Sequence, residues 1–265
     1  MASWANRPNS ARITNMVLDG GDHYEADREV GLRLQAVAPH FLGAMQINAV
    51  YNDRTVRMLA KEGIRGFLDL GAGLPLIPPS TKFPDTFVSA TGAGAGAHVV
   101  HVDNDPAVEG HLRMCSTGDR GEHDSVLADL RDIDALIDHP RVQSLMDRGG
   151  VCVLIHDVLP YVVSDADAAL ITQVLRARLP PGSVISLTHA TSDLCPQEMT
   201  AVAKVLEAAG LPYRPRTRQQ IHDLLAPWPL RDPGLVPTGR FHPGHLHAQL
   251  PDSRSCAFAA LAVRP

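Results

Sequence analysis

The chain has 265 residues and a formal net charge of −5, long enough to bury a sizeable core without staples and too acidic for a general nucleic-acid binder, which needs a basic face. No run approaches the ~18 apolar residues of a membrane span, and the first residues show no apolar stretch of the kind that leads a secreted chain. The four cysteines, Cys115, Cys152, Cys195 and Cys256, lie far apart with no C-x-x-C spacing, which fits reduced thiols in a cytoplasmic protein.

Nothing in the composition splits the chain, so one α/β domain is expected, with residues 1–65 as a helical cap and 66–265 as the core. Ser10 is placed to cap a short helix through Leu18, and Asp19-Gly20-Gly21-Asp22 breaks it, since a double glycine punctuates strongly. Helical spacing resumes from Glu25 to Val37 and predicts Val30, Leu32, Leu34 and Val37 as its buried members. A longer helix is expected from about Gly43 to Glu62, with Ile47, Val50, Tyr51, Val56 and Leu59 on one face and Gly63 as its C-cap. Such helices cover either a sheet edge or a ligand.

The stretch Gly66-Phe67-Leu68-Asp69-Leu70-Gly71-Ala72-Gly73 reads as a short buried strand running into a glycine turn. Glycines end a strand where the backbone must approach a ligand so closely that a Cβ would collide. The dinucleotide fingerprint G-x-G-x-x-G needs a third glycine at position 76, where Leu76 stands, which disfavours a dehydrogenase. Pro75, Pro78, Pro79 and Pro84 forbid a regular helix directly after the turn. A short helix fits near Asp85 to Ser89, followed by a flexible tip, Gly92-Ala93-Gly94-Ala95-Gly96. A second strand, Ala97 to Val102, ends at Asp103-Asn104-Asp105-Pro106. An acidic side chain at that tip can accept from both hydroxyls of a ribose, while Asp105 and Pro106 suit the N-cap and first turn of a helix. His98 and His101 flank this strand and read as packed or solvated rather than metal-ligating.

Ser125 to Ala128 is a third strand, and Asp129 after it could accept from an adenine amino group, cap a turn, or do both. Ile133 to Met146 reads as a helix interrupted near His139-Pro140. Val151 to Ile155 is a continuous apolar run typical of a parallel strand. Ligands of open α/β sheets bind beyond the carboxyl ends of the strands, which makes His156, Asp157 and Tyr161 well-placed polar groups. A helix from Ser164 to Leu179 leads to a fifth strand, Ser183 to Leu187, with His189 again at a carboxyl end. Helices follow from Pro196 to Ala209 and, capped by Thr217, from Arg218 to Leu225. Leu235 to Phe241 and Cys256 to Val263 look like two strands, joined by a loop bearing His242, His245 and His247. That spacing could bind a metal, but with Pro243 and Gly244 inside it a solvated loop is the expected reading.

Several segments together resemble an actinobacterial family of S-adenosylmethionine (SAM)-dependent methyltransferases long catalogued as a domain of unknown function. They are Pro8-Asn9-Ser10-Ala11-Arg12, Leu18 to Glu29, Phe67 to Pro75, Val102 to Pro106, Ala128 to Asp132, Leu179 to Ser183, Ser186 to Thr191 and Asp232 to Val236. The resemblance implies a Rossmann-like class I methyltransferase fold, a seven-stranded mostly parallel sheet with an antiparallel final hairpin, and SAM as cofactor. It implies that Gly71, Ala72 and Gly73, with Asp69 before them, pass beneath the methionine portion. Asp103 and Asn104 would meet the ribose, Asp129 and the Leu130 backbone the adenine, and Arg12 or Arg28 would cover the site or meet the cofactor's carboxylate. Two departures stand out: the proline-rich stretch after the glycine loop, and His156-Asp157 where relatives often carry small or apolar residues.

The function expected is methyl transfer to a small-molecule acceptor, in specialised metabolism. His156, Asp157 or His189 would serve as a base if the nucleophile must lose a proton, and Tyr24, Tyr51 and Tyr161 are placed to grip a flat substrate. The alternatives are a SAM- or nucleoside-binding regulator without transfer, or the same fold turned to other chemistry. Oligomeric state is not legible.

Overall fold

The computed structural model of the chain describes residues 4–93, 96–115 and 122–265. Its seven strands are β1 (Gly66–Leu70), β2 (His98–Asp103), β3 (Glu122–Leu127), β4 (Val151–His156), β5 (Val184–Ala190), β6 (Val236–Pro237) and β7 (Ala257–Val263). They form a single sheet in the order β3-β2-β1-β4-β5-β7-β6. The first five pair in parallel, and β7 runs antiparallel to both β5 and β6. The central strands are buried on both faces, as a parallel sheet under two helical layers requires. Among the described residues ten α-helices surround them: α1 (Ser10–Val17), α2 (Glu25–Val37), α3 (Phe41–Lys61), α4 (Thr86–Ala93), α5 (Pro106–Cys115), α6 (Ile133–Ile137), α7 (Pro140–Met146), α8 (Asp165–Arg178), α9 (Pro196–Ala208) and α10 (Arg218–Leu225).

Side chains alternate between the two faces, because the strand period is two. Leu68 and Leu70, Val100 and Val102, Val153 and Ile155, and Ile185 and Leu187 face one core, which also takes in α6, α7, α8 and α10. Phe67, Val99, Cys152, Leu154 and Val184 face the other, together with Tyr51, Val56 and Leu59 of α3. A third cluster joins α1 and α2 to α9 through Ile13, Val30, Leu34, Met199 and Val202.

Local chemistry explains most element boundaries. Thr217 caps α10 by accepting from the Gln220 backbone N–H, while the Gln220 side chain accepts from the Thr217 N–H, so two orphan donors are satisfied reciprocally. Ser164 caps α8, and Asp105 accepts from the Ala107 N–H with Pro106 opening α5. Several expectations need correction. The cap of α1 is Asn9, whose side chain accepts from the Arg12 N–H; Ser10 is already helical. Leu32 is 66% exposed and Val37 39%, because α2 buries a narrow stripe of Asp27, Val30, Gly31 and Leu34 against its neighbours. The strand expected over Leu235 to Phe241 shrinks to Val236–Pro237, since residues 238–240 turn into a 3₁₀ segment. The helix after the proline-rich stretch is longer than expected, Thr86 to Ala93, and Gly94 and Ala95 of the expected tip lie outside the described residues. No helix among the described residues is long and apolar enough to cross a membrane.

Candidate active site

Beyond the carboxyl ends of β1, β2 and β4 lies a cavity of about 610 Å³. Gly71, Ala72 and Gly73 form its floor, and Asp103, Asn104, Asp129 and Leu130 lie at one end. At the other end stand Phe41, Met45, Asn48 and Asn52 of α3, with Asp157, Tyr161 and Pro212. Asn9, Ser10, Ala11 and Thr14 of α1 also line it, so the N-terminal layer covers the site. A hydrogen bond of 2.6 Å from the Asn9 side chain to Asp105 fastens that cover to the tip of β2. The proline-rich stretch is part of the wall through Pro75, Leu76, Phe83 and Pro84.

The glycine turn has the geometry its residues suggest. Gly71 and Gly73 both take φ near +70°, a left-handed conformation that costs little only without a side chain. A Cβ on Gly71 would meet Val158 Cγ2 at 2.4 Å, whereas one on Gly73 would enter open space. Gly73 is thus held open by its backbone, and its N–H donates to Asp103 Oδ2 at 3.0 Å. Asp103 Oδ1 accepts from the Asp105 N–H at 3.0 Å. Burial raises the pKa of Asp103, and these backbone donors oppose the rise. Asp129 lies beyond β3, where the backbone N–H and guanidinium of Arg131 both donate to it. That pairing lowers its pKa to about 2.

On the α3 side of the sheet the alternation that buries Phe67 and Val99 also turns Asp69, His101, His156, Ser186 and Thr188 inward, making a polar layer. A hydrogen-bond chain runs through it. Thr86 donates to Asp69 at 2.7 Å, so its oxygen accepts from Asn52 Nδ2 at 3.3 Å. Asn52 Oδ1 then accepts from His156 Nδ1 at 3.0 Å. His156 Nε2 accepts from Ser186 at 2.8 Å, and Ser186 accepts from Tyr51 at 3.1 Å. From Thr86 to Ser186 each group donates once and accepts once along the chain, and the carboxylate at its head, which can only accept, fixes every direction. Burial would raise the Asp69 pKa, but hydrogen bonds and charge from His101, with help from Thr86, bring it below the ordinary carboxylate value. His156 is therefore a neutral imidazole with both nitrogens committed, and burial lowers its pKa to about 4.

Of the residues expected in the site, Asp69, Gly71, Ala72, Gly73, Asp103, Asn104, Asp129, Leu130, His156 and Asp157 line one cavity. Three expectations fail on geometry. His189 does not line the cavity; it is fully buried, its Nδ1 faces the Ala190 carbonyl and its Nε2 accepts from Arg216 at 2.9 Å. Arg12 is buried in an ion pair of 2.7 Å with Asp27 between α1 and α2, and Arg28 contacts His23 at the surface. Neither arginine lines the cavity. Among the tyrosines, Tyr161 lines it, Tyr51 lies behind His156, and Tyr24 is 40% exposed outside it. In the histidine loop, His242 turns inward to Thr55 at 3.0 Å, and no cluster of metal-ligating residues exists among the described residues. Sequence reasoning missed Asn52, Ser186, Tyr213 and Arg216, which act through partners far away in the chain.

One buried histidine, His189, and three half-buried ones set an expected pH dependence. Burial holds His123, His156 and His242 at about 4 and His189 at about 3, below the ~6.5 of an unfolded chain. Between those values the unfolded chain binds more protons, so their contribution is complete above pH ~6.5 and is lost as pH falls toward 4. Asp157, raised by burial to about 7, works in the opposite direction and offsets one of the four. Urea denaturation should therefore give a lower midpoint at pH 5 than at pH 7; an equal or higher midpoint at pH 5 would show that these rings are solvated.

A glycine floor, an acidic residue at the tip of the second strand and a cavity at the carboxyl edge of this strand order define a class I methyltransferase. The model of the S-adenosyl methyltransferase family matches residues 4–265, and the chain belongs to that family, whose cofactor is SAM. Among solved structures it is similar to a DUF574 family protein from Streptomyces avermitilis, at 30% identity and a TM-score of 0.91 over 98% of this chain and 99% of the other. A protein from Thermobifida fusca, described as a candidate methyltransferase, matches at 26% identity and a TM-score of 0.88, over 99% and 96%. The plantazolicin methyltransferase BamL, solved with S-adenosylhomocysteine (SAH), shares the fold at 8% identity and a TM-score of 0.52, over 96% of each chain. No curated protein matches the chain.

Proposed function

We propose that the chain transfers a methyl group from SAM to a small-molecule acceptor, both held in the one cavity. The observation that carries this reading is the cavity's mixed lining: the glycine turn and Asp103 from the tips of β1 and β2, and Phe41, Met45, Asn48 and Tyr161 from α3 and the turn after β4. Its volume of about 610 Å³ lies within the range of small-ligand sites.

In this reading Gly71, Ala72 and Gly73 pass beneath the methionine portion, and Asp103 accepts from the ribose hydroxyls. Leu130 and the paired Asp129 border the adenine, with Asn104 beside them. The residues fit such a cofactor because the place a Cβ would take on Gly73 is open and Asp103 presents a carboxylate toward a hydroxyl-rich sugar. The bound cofactor supplies an electrophilic methyl group. The protein's part is to hold the acceptor's lone pair in line with it and to exclude water, which can supply ~7–11 kcal/mol of the barrier. With its two nitrogens committed, His156 positions its neighbours rather than taking a proton.

The test is calorimetric titration with SAM and SAH, followed by an acceptor screen that detects SAH formation. Micromolar binding of both and SAH formation with a defined acceptor are expected. A folded protein that binds neither would overturn the reading, and tight SAM binding without turnover on any acceptor would favour a SAM-binding regulator.

A further inference from the structure

Asp157 directly follows β4, and the pairing of Leu70 with Ile155 in the β1–β4 register brings positions 156 and 157 alongside Gly71 and Ala72. Its neighbour Val158 packs on Gly71 so closely that a Cβ there would lie 2.4 Å from Val158 Cγ2. Asp157 itself takes φ +54°, a left-handed conformation that aspartate adopts more readily than most residues with a Cβ and that hydrogen bonds stabilise. Three do so here. Its backbone N–H donates to the Thr188 carbonyl at 3.0 Å, Oδ1 accepts from the Ala190 N–H at 2.9 Å, and Oδ2 accepts from the Tyr213 hydroxyl at 2.8 Å.

Both side-chain donors are neutral. The titratable groups that face this carboxyl are Tyr161 in the turn after β4, Tyr213 after α9 and Cys256 ahead of β7. All three hold their protons near neutral pH: burial raises both tyrosines, and the hydrogen bond with Cys195 raises the Cys256 thiol. The neighbouring imidazoles, His156 and His189, are uncharged. The guanidinium of Arg216 lies behind His189 and is paired with Asp165 at 3.0 Å. Asp157 is half-buried, and a carboxylate drawn out of water is favoured by a cationic partner. Asp157 lines the cavity, and none of the described groups around it supplies one.

We propose that Asp157 is the counter-ion of the sulfonium of bound SAM. This rests on the cofactor placement under Proposed function: with the methionine portion over the glycine turn and the ribose at Asp103, the sulfonium that joins them would come within reach of Asp157, beside Gly71 and Ala72. The carboxylate serves a charge that moves. As the acceptor's lone pair forms the bond to the methyl carbon, the carbon–sulfur pair returns to sulfur and leaves a neutral thioether. The positive charge arrives on the acceptor atom, and an acceptor carrying a proton there can release it to the carboxylate.

The experiment is calorimetry with SAM and SAH at pH 7, each in phosphate and in Tris, whose ionisation enthalpies differ. The free carboxyl titrates near 7, so a sulfonium that favours its ionised form should expel roughly half a proton per SAM bound, and SAH none. SAM should bind about tenfold more tightly than SAH, equivalent to one unit of pKa shift. In Asp157→Asn the proton release should vanish and the two affinities should converge. Tyr213→Phe, which keeps the ring and removes a donor to the carboxylate, should move the pH of greatest proton release upward. If SAM and SAH bind within about twofold of each other with buffer-independent enthalpies, the inference is overturned and the cofactor site stands. If neither binds, the functional reading falls and this inference with it.

Discussion

Asp103→Ala is expected to weaken SAM binding by at least about 100-fold. A hydroxyl hydrogen bond to a charged acceptor contributes ~1.5–3 kcal/mol, and two ribose hydroxyls would be left without theirs in a partly dry site. Tenfold in affinity corresponds to about 1.4 kcal/mol, so two such bonds account for the loss. The substitution also removes the acceptor for the Gly73 N–H, bonded at 3.0 Å, and for the Asp105 N–H at 3.0 Å, and so loosens the floor beneath the methionine portion. Asp103→Asn, which keeps one carbonyl oxygen, should fall between alanine and wild type. Calorimetric titration of the three proteins checks this, with thermal melts to show that each is folded. Alanine and wild-type proteins of equal affinity would move the ribose away from β2 and remove the basis for the cofactor's placement.

Arg216→Leu should cost about 3–5 kcal/mol of stability, because it leaves the Leu159 and Val162 carbonyls without their donor, at ~1–3 kcal/mol for each buried group left unsatisfied, while Asp165 stays half exposed. The Arg216 side chain is 1% exposed. It donates to Asp165 at 3.0 Å, to the carbonyls of Leu159 and Val162 at 3.0 and 2.8 Å, and to His189 Nε2 at 2.9 Å. Leucine fills the volume but leaves those acceptors unpaired. For a chain of this size the melting temperature should drop by roughly 10 °C. Arg214→Leu is the comparison, because Arg214 pairs with the same Asp165 from a 45% exposed position, and exposed pairs contribute ~0–1 kcal/mol. Equal melting temperatures for the two variants would sink the assignment of Arg216 as the clamp on the turn after β4.

The sequence made legible what depends on neighbours in the chain. Apolar runs ended by glycine or acid gave β1, β2 and β4 with their tips. Thr217 and Ser164 gave the starts of α10 and α8, and Asp103 followed from its position after a strand. Choices made by tertiary contact stayed hidden. Asn9 caps α1 in preference to Ser10, with its side-chain amide also reaching Asp105, 96 residues away. Leu32 has the helical spacing of a core residue, but among the described residues that side of α2 is left exposed. His189 sits at a strand end like His156, yet β5 lies one strand further from the glycine floor, and its ring is taken by Arg216, a residue that reads in the sequence as an ordinary loop arginine. Asn52 and Ser186 are unremarkable polar positions until α3 is laid across β4 and β5.

The chain of hydrogen bonds from Asp69 to Tyr51 also ties the strand before the glycine floor to Asn52 and His156 in the cavity wall. Because it begins at a carboxylate, its polarity is written once, and every member inherits it. Protonating Asp69 would let the head of the chain donate instead of accept, and the orientation of Thr86, Asn52, His156 and Ser186 would no longer be unique. The tautomer presented near the acceptor end thus reads out the ionisation state of a residue in the cofactor motif. Information passes along the face of the sheet although no charge travels and no helix shifts.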